Sequence, residues 1–427
     1  MFKALYNFII TIIYIPYIFA VFLRRFKKKE HHSKFKEKFL FTNCKRPNGY
    51  LFWFHVASLG EFTSILPIVD FYLEKNAKYK FLITTTTLSS YYQFEKKFGN
   101  NERVFHQFMP YDLRLLVKKF LNNWQPNIVS FVESEIWPNF IFEIKKRKLP
   151  FILLNARITK KTFRRWIFFK KFAQNIFNSF SSCISSNKES EEYLRLLNAK
   201  NIKYFGNIKF CAPIKTKKNP FIDEFISIKN KKVWVALSTH DDEEDFCLKV
   251  HKLIEKVDKN IVTIIIPRHI SRVNRIHSKL LGSGLKIQIK NEKDAISENA
   301  QIILVNYYGL TSKYLDNFKQ VFIGKSLIPS LAKVGGQNPI DAIKMGCKVY
   351  HGPYVYNFQE IYDYLDQNNF AEKIDEDRSI STSSLAKKLI SNFKDKSVKN
   401  INKIEELNNY SKKIFNNIDK EYSKFIQ

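Results

Sequence analysis

Glycine and proline are scarce, at 12 and 13 of 427 residues, which excludes a collagen-like chain and long linker-like disorder. Cysteine is scarcer still. The five (Cys44, Cys183, Cys211, Cys247 and Cys347) stand far apart with no C-x-x-C pair. That spacing argues against a disulfide framework or a zinc module and suits a reducing compartment. Acidic residues are outnumbered, 40 Asp and Glu against 71 Lys and Arg, for a net charge of +31. Such an imbalance points to an anionic partner: nucleic acid, a lipid surface or a charged substrate. The cations run through the whole chain, and no RNA-binding, helix-turn-helix or zinc-finger signature accompanies them. No nucleic-acid partner is therefore expected, and an anionic membrane surface fits better.

What the chain does have is apolar material, 45% of all residues, enough for two packed domains at this length. Residues 4–23 read ALYNFIITIIYIPYIFAVFL without a charge. A helix of this length spans about 30 Å, the hydrocarbon thickness of a bilayer, and Pro16 is tolerated in a membrane helix. Arg24, Arg25, Lys27, Lys28 and Lys29 follow at once, whereas only Lys3 precedes. The positive-inside rule then places the bulk of the chain on the cytoplasmic side of the membrane. A cleaved signal peptide would carry its cations in front, with a small-residue site behind. The other reading is a helix lying in the interface, with Tyr6, Tyr14 and Tyr17 at the boundary.

Beyond residue 48, short β-rich runs alternate with helix-like stretches, the pattern of parallel α/β architecture. The runs predict strands at 50–56, 80–86, 127–133, 151–155 and 181–185. After a polar, proline-containing stretch they resume at 232–238, 261–267, 285–289, 302–305, 320–323 and 348–350. Four segments are expected: an anchor with its polybasic flank (1–30), a Rossmann-like domain (31–210), a linker (211–221), and a second Rossmann-like domain with a charged terminal helix (222–427). In such domains ligands bind at the carboxyl ends of the strands.

Those ends carry six constellations. Ser58-Leu59-Gly60-Glu61 puts a carboxylate in a first helical turn, where it can accept a proton from an alcohol or simply complement the helix dipole. Glu133-Ser134-Glu135-Ile136-Trp137-Pro138-Asn139 places two acids after a strand, and a surface loop of solvated acids would read the same. Lys209 in Gly206-Asn207-Ile208-Lys209 could balance a phosphate, although most lysines of so basic a chain are solvated. Ser238-Thr239-His240 precedes Asp241-Asp242-Glu243-Glu244, which imitates a metal-binding D-x-D but reads better as acids at a helix start. Pro267-Arg268 follows the most apolar strand, where a guanidinium fork would meet a phosphate. Gly335-Gly336-Gln337-Asn338-Pro339-Ile340-Asp341 joins a loop to a helix, and paired glycines let N–H groups approach a phosphate there.

In this order, together with Thr84–Thr87, the M-P-Y-D run at 109–112, the N-A-R at 155–157 and the H-G-P at 351–353, the motifs resemble the 3-deoxy-D-manno-octulosonic acid (Kdo) transferases of lipopolysaccharide assembly. The resemblance runs over nearly the whole chain. It implies a GT-B fold, CMP-Kdo as donor, a lipid A precursor (lipid IVA) as acceptor, inversion at the anomeric carbon, and neither metal nor cofactor. Carried over by position, Glu61 would be the general base, and Glu133 with Lys209 the pair that stabilises the transition state. Pro267, Arg268, Tyr308, Gly309, Leu310, Asn338, Pro339, Ile340 and Asp341 would bind CMP. Departures fall in the second half: Asn306 and Leu310 replace acids of the family pattern, Asp341 replaces a glutamate, and Gly324-Lys325-Ser326 replaces G-G-S. The competing expectations are a related GT-B membrane transferase using another nucleotide sugar, and a non-catalytic basic protein that binds membrane surfaces or nucleic acid.

Overall fold

The computed structural model describes residues 2–40, 44–212, 223–309, 311–375, 377–394 and 401–426. Leu310 and positions 213–221 of the expected linker lie outside them. The chain forms two compact units, one of residues 1–213 with 410–427 and the other of residues 214–409.

The first unit is built on a seven-stranded, all-parallel sheet: β1 (Tyr50–Val56), β2 (Tyr79–Thr85), β3 (Val104–Phe108), β4 (Ile128–Val132), β5 (Phe151–Ala156), β6 (Ser182–Ser185) and β7 (Ile202–Tyr204). Their order is β3-β2-β1-β4-β5-β6-β7, with helical crossovers that cover both faces. Such burial explains why β1 is a continuous apolar run with six of its seven residues inside. The second unit repeats the plan with β8 (Lys232–Thr239), β9 (Ile261–Pro267), β10 (Ile287–Lys290), β11 (Ile302–Val305), β12 (Gln320–Ile323), β13 (Lys348–His351) and β14 (Ala371–Lys373), ordered β10-β11-β9-β8-β12-β13-β14. In each sheet the order reverses beside its first strand, between β1 and β4 and between β8 and β12.

Three strands have no counterpart in the pattern reading. β7 and β14 are three-residue edge strands, too short to show a period. β3 reads Val-Phe-His-Gln-Phe, and each of its polar members has one partner inside: His106 Nε2 lies 2.9 Å from Thr85 Oγ1, and Gln107 Oε1 accepts from Trp124 Nε1 at 2.6 Å, while His106 Nδ1 and Gln107 Nε2 are buried without one.

The chain's last segment was expected with the second domain, yet it packs on the first sheet. Tyr422 is fully buried, stacks on Phe54 and meets Ser130 Oγ at 2.7 Å, while Tyr72 Oη donates to Asp419 at 2.6 Å. At the other end of the sequence the helix Phe2–Phe26 lies along the same unit, held by a 2.7 Å hydrogen bond from Tyr6 Oη to the buried Asp112.

Two buried carboxyl groups make this unit sensitive to pH. Burial pushes Asp112 up to about 7 against the donors Tyr6, Asn139 and Phe140. It likewise pushes Glu37 up to about 7 against the Phe108 N–H and Lys34. A carboxyl group raised in the folded state contributes stability that is complete below its unfolded value and is lost as pH rises through the folded value. The thermal midpoint is therefore expected to fall as pH rises from about 4 to about 7 and to level off above that. Glu37→Gln keeps an acceptor for the Phe108 N–H, 2.8 Å away, and should flatten that slope in calorimetry. An unchanged slope would show that Glu37 does not titrate in this range.

Candidate active site

The reversal between β1 and β4 brings three acids together at the carboxyl edge of the first sheet. Glu61 sits in the first turn of the helix Leu59–Lys75. Its carboxylate accepts from Ala57 N at 2.8 Å and from Ser58 Oγ at 2.7 Å, while Ser58 Oγ accepts from Glu61 N. This variant of the capping box, in which Glu61 reaches the N–H of Ala57 one residue before the cap, is worth about 1 kcal/mol to the helix, and it also fixes where the carboxylate stands. Burial raises the Glu61 pKa, and the charges of Glu133 and Glu135 add to the rise against those two donors.

Glu133 ends β4 with a left-handed backbone, φ +56°, which costs a non-glycine residue on the order of 1–2 kcal/mol. The turn aims its carboxylate at Lys209, whose Nζ lies 2.6 Å from Oε1. Asn155 ties the pair to the scaffold: Nδ2 approaches Glu133 Oε1 at 3.4 Å, and Oδ1 accepts from Ile208 N at 3.1 Å. Sequence-predicted Glu133 and Lys209 are thus bonded to each other, and the charge of Glu133 acts on Glu61.

Glu135 was read only as one of a pair of acids; its partners could not be read from the sequence. It accepts from His55 Nε2 at 3.1 Å and from Trp137 Nε1 at 2.8 Å. Because a carboxylate only accepts, Nε2 carries the hydrogen and Nδ1 faces the Thr84 hydroxyl at 2.9 Å. Although burial acts to raise it, these bonds hold Glu135 below the usual range, so it remains an anion. The threonine run explains itself in the same place: Thr84 holds His55, Thr86 Oγ1 donates to Ala57 O at 3.0 Å, and Thr87 caps the next helix.

In the second unit a small cavity at the strand ends is lined by Ser238, Pro267, Arg268, Tyr308 and Gly309 among others. β9 delivers Pro267 opposite Thr239, and the Arg268 N–H bonds Thr239 O at 3.1 Å, leaving the side chain exposed. Gly309 adopts φ +97°, which the turn after Tyr308 requires. Asn338, Pro339, Ile340 and Asp341 are not among the residues lining this cavity. Asn338 Oδ1 caps Ile340 N at 3.1 Å, Pro339 and Ile340 are buried, and Asn338 and Asp341 are exposed.

Two motifs proved to be braces. Glu243 is fully buried and its carboxylate accepts from His240 N, Lys325 N, Ser326 N and Leu327 N, at 2.6–3.0 Å. It thereby ties the loops after β8 and β12 together at the strand reversal. The other acids of that run face cations: Asp241 and Glu244 meet Arg272 at 2.6 and 3.0 Å, and Asp242 stands 3.6 Å from Lys279. The paired glycines were expected to present N–H groups to a phosphate. Instead, Gly336 N donates to Lys325 O at 2.7 Å, and a Cβ on Gly335 would fall 2.2 Å from Tyr354 O.

Residues 33–212 match the family model described as 3-deoxy-D-manno-octulosonic-acid transferase (kdotransferase). A 3-deoxy-D-manno-octulosonic acid transferase of Rickettsia bellii is 30% identical over 350 residues, 82% of each chain. The chain belongs to the Kdo transferase family. The transferase of Haemophilus influenzae is 27% identical over 346 residues, 79% of each chain. A solved UDP-N-acetylglucosamine 2-epimerase shares the fold at 11% identity, with a TM-score of 0.59 over 89% of this chain and 97% of its own. Like other members of its family, this Kdo transferase is a glycosyltransferase, with two Rossmann-like units of the GT-B class.

The proximity of Glu133 to Glu61 has a direct readout. Glu133→Gln should lower the Glu61 pKa, because it removes the like charge that acts on it more strongly. Carbon NMR of the labelled side-chain carboxyl would follow it, and an unmoved titration would show that burial alone sets the value.

Proposed function

We propose that this chain moves Kdo from CMP-Kdo onto a hydroxyl of a lipid A precursor (lipid IVA), with inversion and without a metal ion. The observation that carries the reading is the Glu61–Glu133–Lys209 constellation at the strand reversal of the first sheet. Glu61 takes the proton of the acceptor hydroxyl. Its oxygen then bonds the anomeric carbon as the bond from that carbon to the phosphate oxygen breaks, and CMP carries away the electron pair. A raised pKa suits a base that works near neutral pH. Both carboxylate oxygens of Glu61 accept a bond from the cap, yet lone pairs remain for the substrate proton.

Charge builds on two groups in that step. The sugar passes through an oxocarbenium-like state, which Glu133 can stabilise, and the leaving phosphate gains negative charge, which Lys209 can offset. On the donor side, Pro267, Arg268, Tyr308 and Gly309 supply a guanidinium and a turn for the nucleotide; Leu310, also proposed for this turn, lies outside the described residues. Asn338, Pro339, Ile340 and Asp341 complete the proposed CMP set through exposed polar groups at 338 and 341. The net charge of +31 favours both a phosphorylated lipid and a donor that carries a carboxylate. The apolar helix Phe2–Phe26, long and apolar enough to cross a membrane, fits a place on the cytoplasmic face of the inner membrane, beside that lipid.

The test is mass spectrometry of lipid products from CMP-Kdo and a tetraacylated precursor, with EDTA present. A Kdo adduct and released CMP are expected. Glu61→Gln should lower kcat by about 10²–10⁴-fold while nucleotide binding persists, and Arg268→Ala should raise the donor KM instead. Product from UDP-sugars but not from CMP-Kdo would overturn the donor, and full activity of Glu61→Gln would overturn the base.

A further inference from the structure

The 25-residue helix Phe2–Phe26 is long enough to cross a bilayer, yet its contacts follow it from end to end. Phe2 packs edge-on against Phe169 at 5.6 Å, and the Lys3 ammonium lies 4.6 Å from the centre of the Phe142 ring. Tyr6 donates to Asp112, which is itself buried and accepts from Asn139 N and Phe140 N at 3.0 and 3.1 Å. Midway, Tyr17 stacks on Tyr111 with centroids 4.4 Å apart. Toward the end, Phe22 meets Phe35 at 5.3 Å and Arg24 pairs with Glu30 at 2.7 Å. All these partners belong to the first unit. The helix, about 37 Å long, therefore lies along the surface of a folded domain.

Its other face is apolar and uncovered: Phe8, Ile15 and Leu23 are 64%, 63% and 61% exposed. Through Phe2 and Phe169 this face continues to Phe168, 82% exposed, where the helix Lys160–Phe168 meets the helix Lys170–Phe177. Arg164, Arg165, Lys170 and Lys171 flank it, all exposed. Were the Phe2–Phe26 helix to cross a bilayer, Phe169 and its lysines would enter the hydrocarbon with it, at roughly 2.5–3.5 kcal/mol per charge at the centre.

We infer that this helix lies flat in the head-group region of an anionic bilayer and that Phe168 inserts beside it as a second contact. The inference rests on the reading of the helix as lipid-facing. Charge complementarity selects the partner: each cation near an anionic surface adds about 1 kcal/mol, and an apolar strip between cations is what an interfacial helix presents. Acceptor and enzyme would then share one plane.

The test uses the full chain with Cys44→Ser and Cys211→Ser, a fluorophore on a single cysteine at position 8, 15, 23 or 168, and phosphatidylglycerol–phosphatidylethanolamine vesicles. Quenching by nitroxides at known depths should place all four positions equally shallow. A profile deepest at position 15, with 8 and 23 toward opposite leaflets, would overturn the flat arrangement while the transferase reading stands. No quenching at any position would overturn the lipid-facing helix itself. Phe168→Asp should weaken vesicle binding about tenfold or more and leave transfer to a detergent-dispersed acceptor unchanged. Undiminished vesicle binding by that variant would remove Phe168 from the surface.

Discussion

The strand reversal beside the first strand of each parallel sheet organises everything else in this molecule. Successive crossovers leave in opposite directions there, so the carboxyl ends of neighbouring strands open onto space that no connection covers. Between β1 and β4 that space receives Glu61 from one strand end and Glu133 from the next. Between β8 and β12 the corresponding place is braced by Glu243, whose carboxylate gathers four backbone N–H groups from two loops. One topology thus yields an edge crowded with carboxylates and another held shut by a single one. The difference lies in how the charge is satisfied. Glu243 has spent its acceptor capacity on backbone, whereas Glu61 and Glu133 are held by short local contacts and one lysine.

Much of this was legible in the sequence, for a physical reason. Strands buried on both faces must be apolar throughout, so β9, β11 and β12 could be bounded to the residue. β3 escaped because its polar residues find partners inside, which a hydropathy pattern cannot register. The terminal helix was visible as a helix, but amphipathic spacing does not say which core its apolar face will meet. Motif order pointed to the family through residues whose individual reasons were hidden. Thr84 orients His55, which orients Glu135, and none of those links is local in sequence. The paired glycines show the opposite case. Their shape requirement was read correctly as close approach, but the approaching group is the chain's own backbone at Tyr354 and Val355.

The excess of lysine and arginine looks uniform along the sequence and is not uniform in consequence. Lys209 is bound into the site, Arg272 neutralises the acids after β8, and the cations around Phe168 face solvent beside exposed rings. Exposed ion pairs add little to stability, so a solvated surplus of this size is better explained by what it attracts than by what it holds together.

At Glu61 the structural role and the proposed chemical role do not compete. The cap asks the carboxylate to accept from Ser58 and Ala57 just ahead of the helix, which removes its freedom to rotate. General-base chemistry asks for a fixed acceptor with a raised pKa and an unused lone pair. Burial and the charge of Glu133 supply the raised pKa, the cap supplies the fixed position, and a carboxylate has more acceptor sites than the two the cap occupies. The reading of Glu61 as a helix-terminal acid is therefore correct, and the proposed role as a base is compatible with it. The interaction that makes it ordinary for folding is the same one that would hold it ready for catalysis.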